Sequence, residues 1–359
     1  MQRQIQDRID RFLELASIRH PVLLAPMAGY CPPAVSMAVT NAGGLGACGA
    51  LLFGPEQIGA WCEAFRAGSN GSFSLNLWVP DPEPLDDVVA DRLMAEAMSE
   101  WGPTVDAGAA LDRPIDFESQ FEAILEARPR FFSTIMGLPS QSMVERLQTL
   151  GILWMATVTT VGEGLAAAAA GADVLVAQGA EAGGHRGAFD AGDGISRAVG
   201  SFSLIPALAD QVDLPIVATG GIADARTAIA ALVLGASAVQ IGTGFLRTPE
   251  MGLDPAWSEA LRSTRPEDTS LTRGFSGRPG RAIRSKFVEA FEKGEMPEPR
   301  PYPAQRGLTA AMRKEAASSS DMERMQAWAG QSAMLSSNRG AADIVEQLAA
   351  EIRTFLSVM

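Results

Sequence analysis

Eight short apolar or β-branched runs recur along the chain, each closed at or just beyond its end by Gly, Pro, Asn or Thr. They are Val22 to Ala25, Gly44 to Cys48, Ser72 to Leu77, Phe131 to Ile135, Ile152 to Thr157, Asp173 to Ala177, Pro215 to Ala218 and Ala238 to Ile241. Most are followed by a stretch with helical spacing, and strands alternating with helices build βαβ units around a parallel sheet. Nearly continuous apolar character says that both faces of each strand are covered. Eight such units favour a closed (β/α)8 barrel of the TIM type, a mixed α/β fold, over an open doubly wound sheet.

The helices of the second half are the clearest. Val161 to Ala170 is Ala-rich and closed by Gly171, and Ala223 to Leu234 runs from a cap region at Asp224 to a stop at Gly235. Each leads at once into a strand, through Gly171-Ala-Asp173 and Gly235-Ala-Ser237, which reads as a repeated half-barrel unit. At the N-terminus Ile5, Ile9, Phe12 and Leu13 carry the period of an amphipathic helix rather than the apolar core of a signal peptide. Two stretches exceed a minimal barrel. Pro80 to Pro114, rich in Asp, Glu and Pro, predicts a long loop with a helix after strand three. Phe245 to about Ser337, rich in Arg, Pro and Met, predicts a helical insertion after strand eight that covers the C-terminal mouth. Ala341 to Leu356 then returns as the eighth barrel helix through Ile344, Val345, Leu348 and Ile352. The expected division is a cofactor-binding barrel over 1–245 plus 338–359 and a substrate-capping insertion over 246–337.

Composition narrows the partners. With 42 acidic against 29 basic side chains the formal charge is −13, which repels a phosphate backbone, so nucleic acid is excluded as the expected partner. No apolar run approaches the ~20 residues needed to cross a bilayer. The three cysteines, Cys31, Cys48 and Cys62, have no metal-type spacing and read as reduced thiols of a cytoplasmic protein; no metal site is expected.

In a (β/α)8 barrel the active site lies at the C-terminal strand ends, with phosphate held after strands seven and eight. Thr219-Gly220-Gly221-Ile222 and Gln240-Ile241-Gly242-Thr243-Gly244 stand at those two places. Glycines let the backbone approach a phosphate closely, and the free N–H groups of the next turn supply donors. Each loop alone is equally a tight βα turn; two at consecutive strand ends point to a phosphate-bearing cofactor. After strand six comes Gln178-Gly-Ala-Glu-Ala-Gly183-Gly184-His185-Arg186-Gly187, too polar and glycine-rich to continue a strand. The chain has two histidines, and His185 in this run can donate to an anion or take a proton near neutral pH. The blander reading is a surface histidine in a mobile loop. His20, before Pro21 at the entry to strand one, reads as structural. Ala25-Pro26-Met27 after strand one and Asn76 at the end of strand three add apolar and amide groups that suit a flavin ring.

Together Ala25-Pro26-Met27, Asn76, Met155-Ala-Thr-Val-Thr159, Gln178 to Gly187, Thr219-Gly-Gly-Ile222 and Gln240-Ile-Gly-Thr243 resemble the nitronate monooxygenases, formerly 2-nitropropane dioxygenases. The likeness continues through Phe275-Ser-Gly-Arg-Pro279, Tyr302-Pro-Ala-Gln305 and Trp328-Ala-Gly-Gln331, and so covers nearly the whole chain. It implies an FMN-dependent monooxygenase that oxidises alkyl nitronates, such as propionate 3-nitronate, with O2 to a carbonyl compound and nitrite. By position Ala25, Pro26, Met27, Asn76, Gln178, Gly183, Gly184, Gly220, Gly221, Gln240, Gly242 and Thr243 would hold FMN. His185 would be catalytic, as a donor to the nitronate anion or as a base toward a neutral nitroalkane, with Arg186 and Tyr302 on the substrate. The implied partners are a small-molecule nitronate and O2, with a homodimer left open. Tyrosines crowd the nitronate pocket of such proteins, yet this chain has two, Tyr30 and Tyr302.

Rival readings keep different parts of this. An FMN-dependent NAD(P)H oxidoreductase, of enoyl-ACP reductase or quinone reductase type, keeps fold and flavin; the run Arg273 to Arg284 could then serve a nicotinamide phosphate or an anionic substrate. No Gly-x-Gly-x-x-Gly opens a helix after a strand. A flavin-binding barrel without activity has no need of a titratable group at His185. A dehydrogenase with a nucleophilic cysteine after strand six is excluded, because no Cys follows Cys62.

Overall fold

All eight apolar runs form strands. In a computed structural model that describes residues 2–83 and 85–358, the barrel strands are β1 (Val22–Leu24), β2 (Gly46–Gly49), β3 (Phe73–Trp78), β4 (Phe131–Ile135), β5 (Leu153–Val158), β6 (Val174–Gln178), β8 (Ile216–Thr219) and β9 (Ala238–Ile241). Three further strands, β7 (Gly184–His185), β10 (Thr269–Thr272) and β11 (Gly280–Ile283), lie outside the barrel. The barrel order is β1-β9-β8-β6-β5-β4-β3-β2, all pairs parallel. A parallel bridge from Leu23 to Leu45 brings β1 back to the β2 side, with Leu24 N donating to Leu45 O at 2.9 Å and Leu45 N to Val22 O at 3.1 Å. Met1, Pro84 and Met359, which fall within the expected segment ranges, lie outside the described residues.

The strands are apolar on both faces because each face has its own neighbour. Val174 and Val176 turn inward with Leu23, Leu45, Phe131, Met155, Val217 and Ala238. Leu175 and Ala177, one residue out of phase, face the surrounding helices. The N-terminal helix Gln2–Ala16 adds Phe12 and Ala16 to the inner layer, beside Phe131, Val174 and Ala238, the first residues of their strands. Phe12 is wholly buried, so the end of the barrel away from the loops is filled by a side chain from the chain's first helix.

The expected helix ends hold. Asp224 caps Ala225–Leu234, its Oδ1 accepting from Thr227 N at 3.0 Å, and Thr160 and Glu163 cap Val161–Ala169 reciprocally. Ile344, Val345, Leu348 and Ile352 of the last helix, Ala341–Val358, are buried. Cys31, Cys48 and Cys62 are free and buried, with the first two sulfurs 3.4 Å apart. No helix is long and apolar enough to cross a membrane among the described residues.

The segment after β9 is not wholly helical as expected. Besides helices Pro255–Ser263, Lys286–Glu292, Ala304–Leu308 and Ala310–Ser318, it contains the antiparallel pair β10–β11, whose second strand also pairs with β7. Those strands are four residues each around an Arg, Gly and Pro-rich turn, too short for a period-two pattern to stand out. The excursion after β3 forms helix Val88–Ser99 and joins the later segment in a second apolar core. There Met94, Met98 and Ala110 meet Phe275, Phe287, Leu308 and Met312. An ion pair with little exposure, Arg300 Nε to Asp91 Oδ1 at 2.6 Å, ties the two excursions together.

Candidate active site

The C-terminal strand ends open on a cavity of about 600 Å³. Ala25, Pro26, Met27, Asn76, Gln178, Gly183, Gly184, Gly220, Gly221, Gln240, Gly242 and Thr243 all line it, and so does His185. The barrel brings these residues together from five strand ends, although in sequence they span more than half the chain.

The two glycine loops form one wall. Gly220 and Gly221 have φ of +104° and +74°, a region L side chains rarely adopt. A Cβ on Gly220 would stand 3.0 Å from both Ala182 N and Gly179 O, so the turn is also closely packed. The N–H groups of Gly220, Gly221, Gly242 and Thr243 donate to no protein acceptor among the described residues. All four residues line the cavity, and backbone N–H groups left free at a cavity wall suit an anion such as a flavin phosphate. Glu181, beside Gly221, is engaged by Ser201 N at 2.9 Å and Ser201 Oγ at 3.0 Å. Thr243 Oγ1 accepts from Gly330 N at 3.0 Å, and Gln331 N donates to Glu181 O at 2.9 Å. Trp328-Ala-Gly-Gln331 is thereby pinned to the cavity edge. Asn76 donates from Nδ2 to Ser133 O at 3.1 Å and Ser133 Oγ at 2.9 Å, which fixes its amide and leaves Oδ1 without a partner among the described residues. Gln178 works through the loop it holds, its Nε2 donating to His185 O at 3.0 Å and its Oε1 accepting from Gly187 N at 2.7 Å.

His185 is not in a mobile loop. As β7 it pairs with Gly280 of β11, and Arg186 N donates to Pro279 O at 2.8 Å. Its ring stands edge-on between Trp78 and Trp328, with centroids at 4.6 Å and 4.7 Å. A Cβ on Gly280 would come within 2.8 Å of the Trp328 ring, so glycine there lets Trp328 pack beside the imidazole. Nε2 shares a 2.7 Å hydrogen bond with Ser276 Oγ; Nδ1 forms none among the described residues. Burial, with the positive charges of Arg278, Arg306 and Arg313 adding to it, pushes the His185 pKa down to about 3. The imidazole is therefore neutral at physiological pH.

Arg186 and Tyr302, expected on the substrate, do not line the cavity. Arg186 is 3% exposed, and its guanidinium donates to the carbonyls of Gln178 and Thr159. It braces the ends of β5 and β6 instead. Tyr302 lies one layer behind, its ring 5.4 Å from Trp78; Tyr30 is the tyrosine on the cavity wall. The arginines of the 273–284 run are also committed elsewhere. Arg273 pairs with Glu298, Arg278 with Asp81 and Arg284 with Glu292, while Arg281 donates to Thr269 Oγ1.

Sequence reasoning missed Trp78, Ser276, Arg306 and Arg313, all of which line the cavity. For Trp78 a signal existed: it lies two residues beyond Asn76 on β3, and i and i+2 share a face. Ser276 lies inside the Phe275–Pro279 run that carries part of the resemblance, but its contact with His185 Nε2 is reached only through the fold of β10–β11.

Known proteins agree with this geometry. Residues 10–351 match the family model described as nitronate monooxygenase. A probable nitronate monooxygenase of Staphylococcus aureus (strain MSSA476) is 33% identical over 356 residues, covering 97% of this chain and 98% of the relative. Among solved structures, nitroalkane oxidase from Streptomyces ansochromogenes is similar with a TM-score of 0.86 and 32% identity, over 97% of this chain and 99% of that one. FabK from Thermotoga maritima follows with a TM-score of 0.76 and 25% identity, over 97% of each chain. With a glycine-walled cavity, a neutral histidine at its edge and matches along nearly its full length, the chain belongs to the nitronate monooxygenase family, whose members are flavin-dependent oxidoreductases.

Proposed function

We propose that the protein binds FMN and oxidises alkyl nitronates with O2 to a carbonyl compound and nitrite, and that it does so in the cytoplasm. The observation that carries this reading is the state of His185: neutral, at the cavity edge, and hydrogen-bonded through one nitrogen to Ser276. The unpaired N–H groups of Gly220, Gly221, Gly242 and Thr243 would hold the FMN phosphate, and Asn76 Oδ1 would accept from an N–H of the ring. Bound there, the flavin supplies the electron acceptor and the site of reaction with O2.

An imidazole whose pKa is pushed to about 3 is a weak base at neutral pH. It suits a substrate that arrives already deprotonated, which a nitronate is and a neutral nitroalkane is not. Donors and positive charge around an anion stabilise it best where water is excluded. Trp78 and Trp328 on either side of His185 provide that exclusion.

The test is O2 uptake and nitrite release from preformed ethyl nitronate compared with neutral nitroethane at the same pH. Turnover of the nitronate well above that of the nitroalkane is expected; equal turnover of both would assign proton abstraction to the enzyme and overturn the reading of His185. The alternative, an FMN-dependent NAD(P)H oxidoreductase, draws on the likeness to FabK. It is weakened because the arginines of the 273–284 run, which it would use for a nucleotide phosphate, are engaged elsewhere.

A further inference from the structure

Behind the first-strand side of the cavity wall lie two thiols in contact. Cys31 Sγ and Cys48 Sγ are 3.4 Å apart, and both residues are buried. Cys48 is on β2, in register with Leu75 of β3, so its backbone is held by the barrel. Cys31 follows Gly29 and Tyr30, which line the cavity. The loop that carries it packs tightly on β2: a Cβ on Gly49 would stand 2.5 Å from Ala28 N. On its other side Cys31 O accepts from Trp61 Nε1 at 2.7 Å. The proposed reaction uses neither thiol.

The two sulfurs differ in character. The hydrogen bond with Cys48, opposed by burial and helped by the backbone of Gly49 and Gly29, holds the Cys31 thiol below its usual range. Burial, and then that same hydrogen bond, push Cys48 well above it. A thiol that ionises more readily, set beside one that stays protonated, is the arrangement in which the first is oxidised and the second completes the bond. Cys62, on helix Pro55–Gly68, is pushed up to about 11 by burial, which leaves it protonated and unreactive at neutral pH.

Resting on the reading of the cavity as an FMN site, but not on the identity of the substrate, we propose that Cys31 and Cys48 form an oxidation site. A hydroperoxide joins them in a disulfide that distorts the wall from Met27 to Tyr30 and weakens flavin binding. With Cys31 5% and Cys48 1% exposed, the oxidant has to be small and uncharged, as hydrogen peroxide is. Cys31 Sγ attacks one peroxide oxygen; the O–O bond breaks, Cys31 becomes a sulfenic acid, and the departing hydroxide takes the thiol proton and leaves as water. Cys48 Sγ then attacks the sulfenic sulfur; the S–S bond forms, the S–O bond breaks, and the hydroxyl leaves with the Cys48 proton as a second water. Two thiols thus lose two electrons, and one peroxide is reduced to two waters. A disulfide bond is ~2.05 Å long, so the sulfurs have to close by roughly 1.4 Å from their 3.4 Å contact. Because β2 is paired with β3 along its whole length, the movement falls on the loop. Tyr30, edge-on to Trp257 at 4.9 Å, moves with it.

The experiment exposes the FMN-loaded protein to hydrogen peroxide, removes the oxidant, alkylates the remaining thiols and maps the peptides by mass spectrometry without reduction. On parallel samples the FMN Kd and the tryptophan fluorescence are read before and after dithiothreitol. A peptide pair joined through Cys31 and Cys48 is expected, with the Kd raised about tenfold or more and restored by the dithiol. Dithiothreitol does not repair methionine sulfoxide, so the reversible part of the change belongs to the thiols. Cys62→Ser should respond like the wild type, whereas Cys48→Ser should form no such link and lose most of the reversible change. Three thiols still free after peroxide, a link through Cys62 in place of Cys31, or a Cys31–Cys48 link that leaves the FMN Kd unchanged overturns the inference. If the untreated protein binds no FMN while the link forms and the tryptophan fluorescence shifts reversibly, the cofactor reading fails and the oxidation site stands. Should Cys48→Ser not fold, the peptide map and the dithiol reversal on the wild type still decide the question.

Discussion

Ser276 Oγ lies 2.7 Å from His185 Nε2 and 3.3 Å from the carbonyl oxygen of Arg278. A hydroxyl has one proton, so two arrangements compete. Either Ser276 donates to the carbonyl and receives from Nε2–H, or it donates to Nε2 and leaves the proton on Nδ1. An anion beside the ring favours the second, because Nδ1 has no other partner and its N–H can then donate. Ser276 is thus a positioning residue that permits the change of tautomer.

Removing the imidazole should cost more than removing the hydroxyl. His185→Ala is expected to retain bound flavin and lose about 100-fold or more in kcat/KM for a nitronate, the scale of losing a donor to reacting charge. Ser276→Ala should lose about tenfold. Steady-state kinetics with flavin content measured on the same preparations checks both; a His185→Ala enzyme with wild-type kcat/KM would remove the imidazole from the mechanism.

The pKa of His185 has consequences for stability as well as rate. In the unfolded chain a histidine titrates near 6.5, whereas in the folded protein His185 stays neutral to about 3. As pH falls through that window the unfolded chain takes up a proton that the folded protein does not, so stability drops by up to ~1.4 kcal/mol per pH unit. Above about pH 6.5 the term vanishes. His185→Asn is therefore expected to show a shallower loss of Tm from about pH 6 to pH 4 than the wild type. For the same reason kcat/KM for a preformed nitronate should show no acid limb from this imidazole above about pH 5. A limb there that vanishes in His185→Asn would contradict the neutral assignment.

The glycine turn can be tested apart from the chemistry. Gly220→Ala combines a φ of +104° with a Cβ 3.0 Å from two backbone atoms. It should raise the flavin Kd at least about tenfold, since strain of this kind costs on the order of 1–3 kcal/mol. Gly59→Ala, in helix Pro55–Gly68 with open space at its Cβ, should leave the Kd unchanged. Flavin titration of the apoproteins, with circular dichroism confirming the fold, separates the two; equal affinities would place the phosphate elsewhere.

The barrel was legible because its signal is local and repeated. Each of the eight runs carries strand character in four to six residues, and caps such as Asp224 and Gly235 mark helix ends without reference to tertiary structure. The glycine loops and His185 were legible for a related reason: the fold fixes which strand ends face the cavity. Arg186 was misjudged because adjacency to His185 in sequence says nothing about direction. Once β7 pairs with β11, consecutive side chains point to opposite sides, and Arg186 turns away from the cavity to the carbonyls of Gln178 and Thr159. The placement of Ser276, Arg306 and Arg313 was not legible because it depends on the two excursions packing together, with Met94, Phe275 and Met312 in one apolar cluster, an arrangement with no periodic signature.

That packing makes its own prediction. Asp91 and Arg300 are 12% and 11% exposed at their side chains, and Asp91→Ala leaves the guanidinium buried without its partner. A loss of about 3–5 kcal/mol is expected, read as a lower denaturation midpoint. Asp193→Ala, which breaks a solvent-exposed pair with Arg197, should change stability by no more than about 0.5 kcal/mol. Similar effects from the two would mean that the covering segments do not depend on their mutual ion pair.

Reduction of a flavin by a nitronate at the glycine-walled cavity beside His185 is the step on which the proposed function depends. Anaerobic mixing of the FMN-loaded protein with propionate 3-nitronate, and separately with NADPH, while the flavin absorbance is followed, tests this most directly. Rapid loss of the oxidised flavin spectrum with the nitronate, and a slow or absent change with NADPH, is the predicted result. Bleaching by NADPH with no response to the nitronate would contradict it.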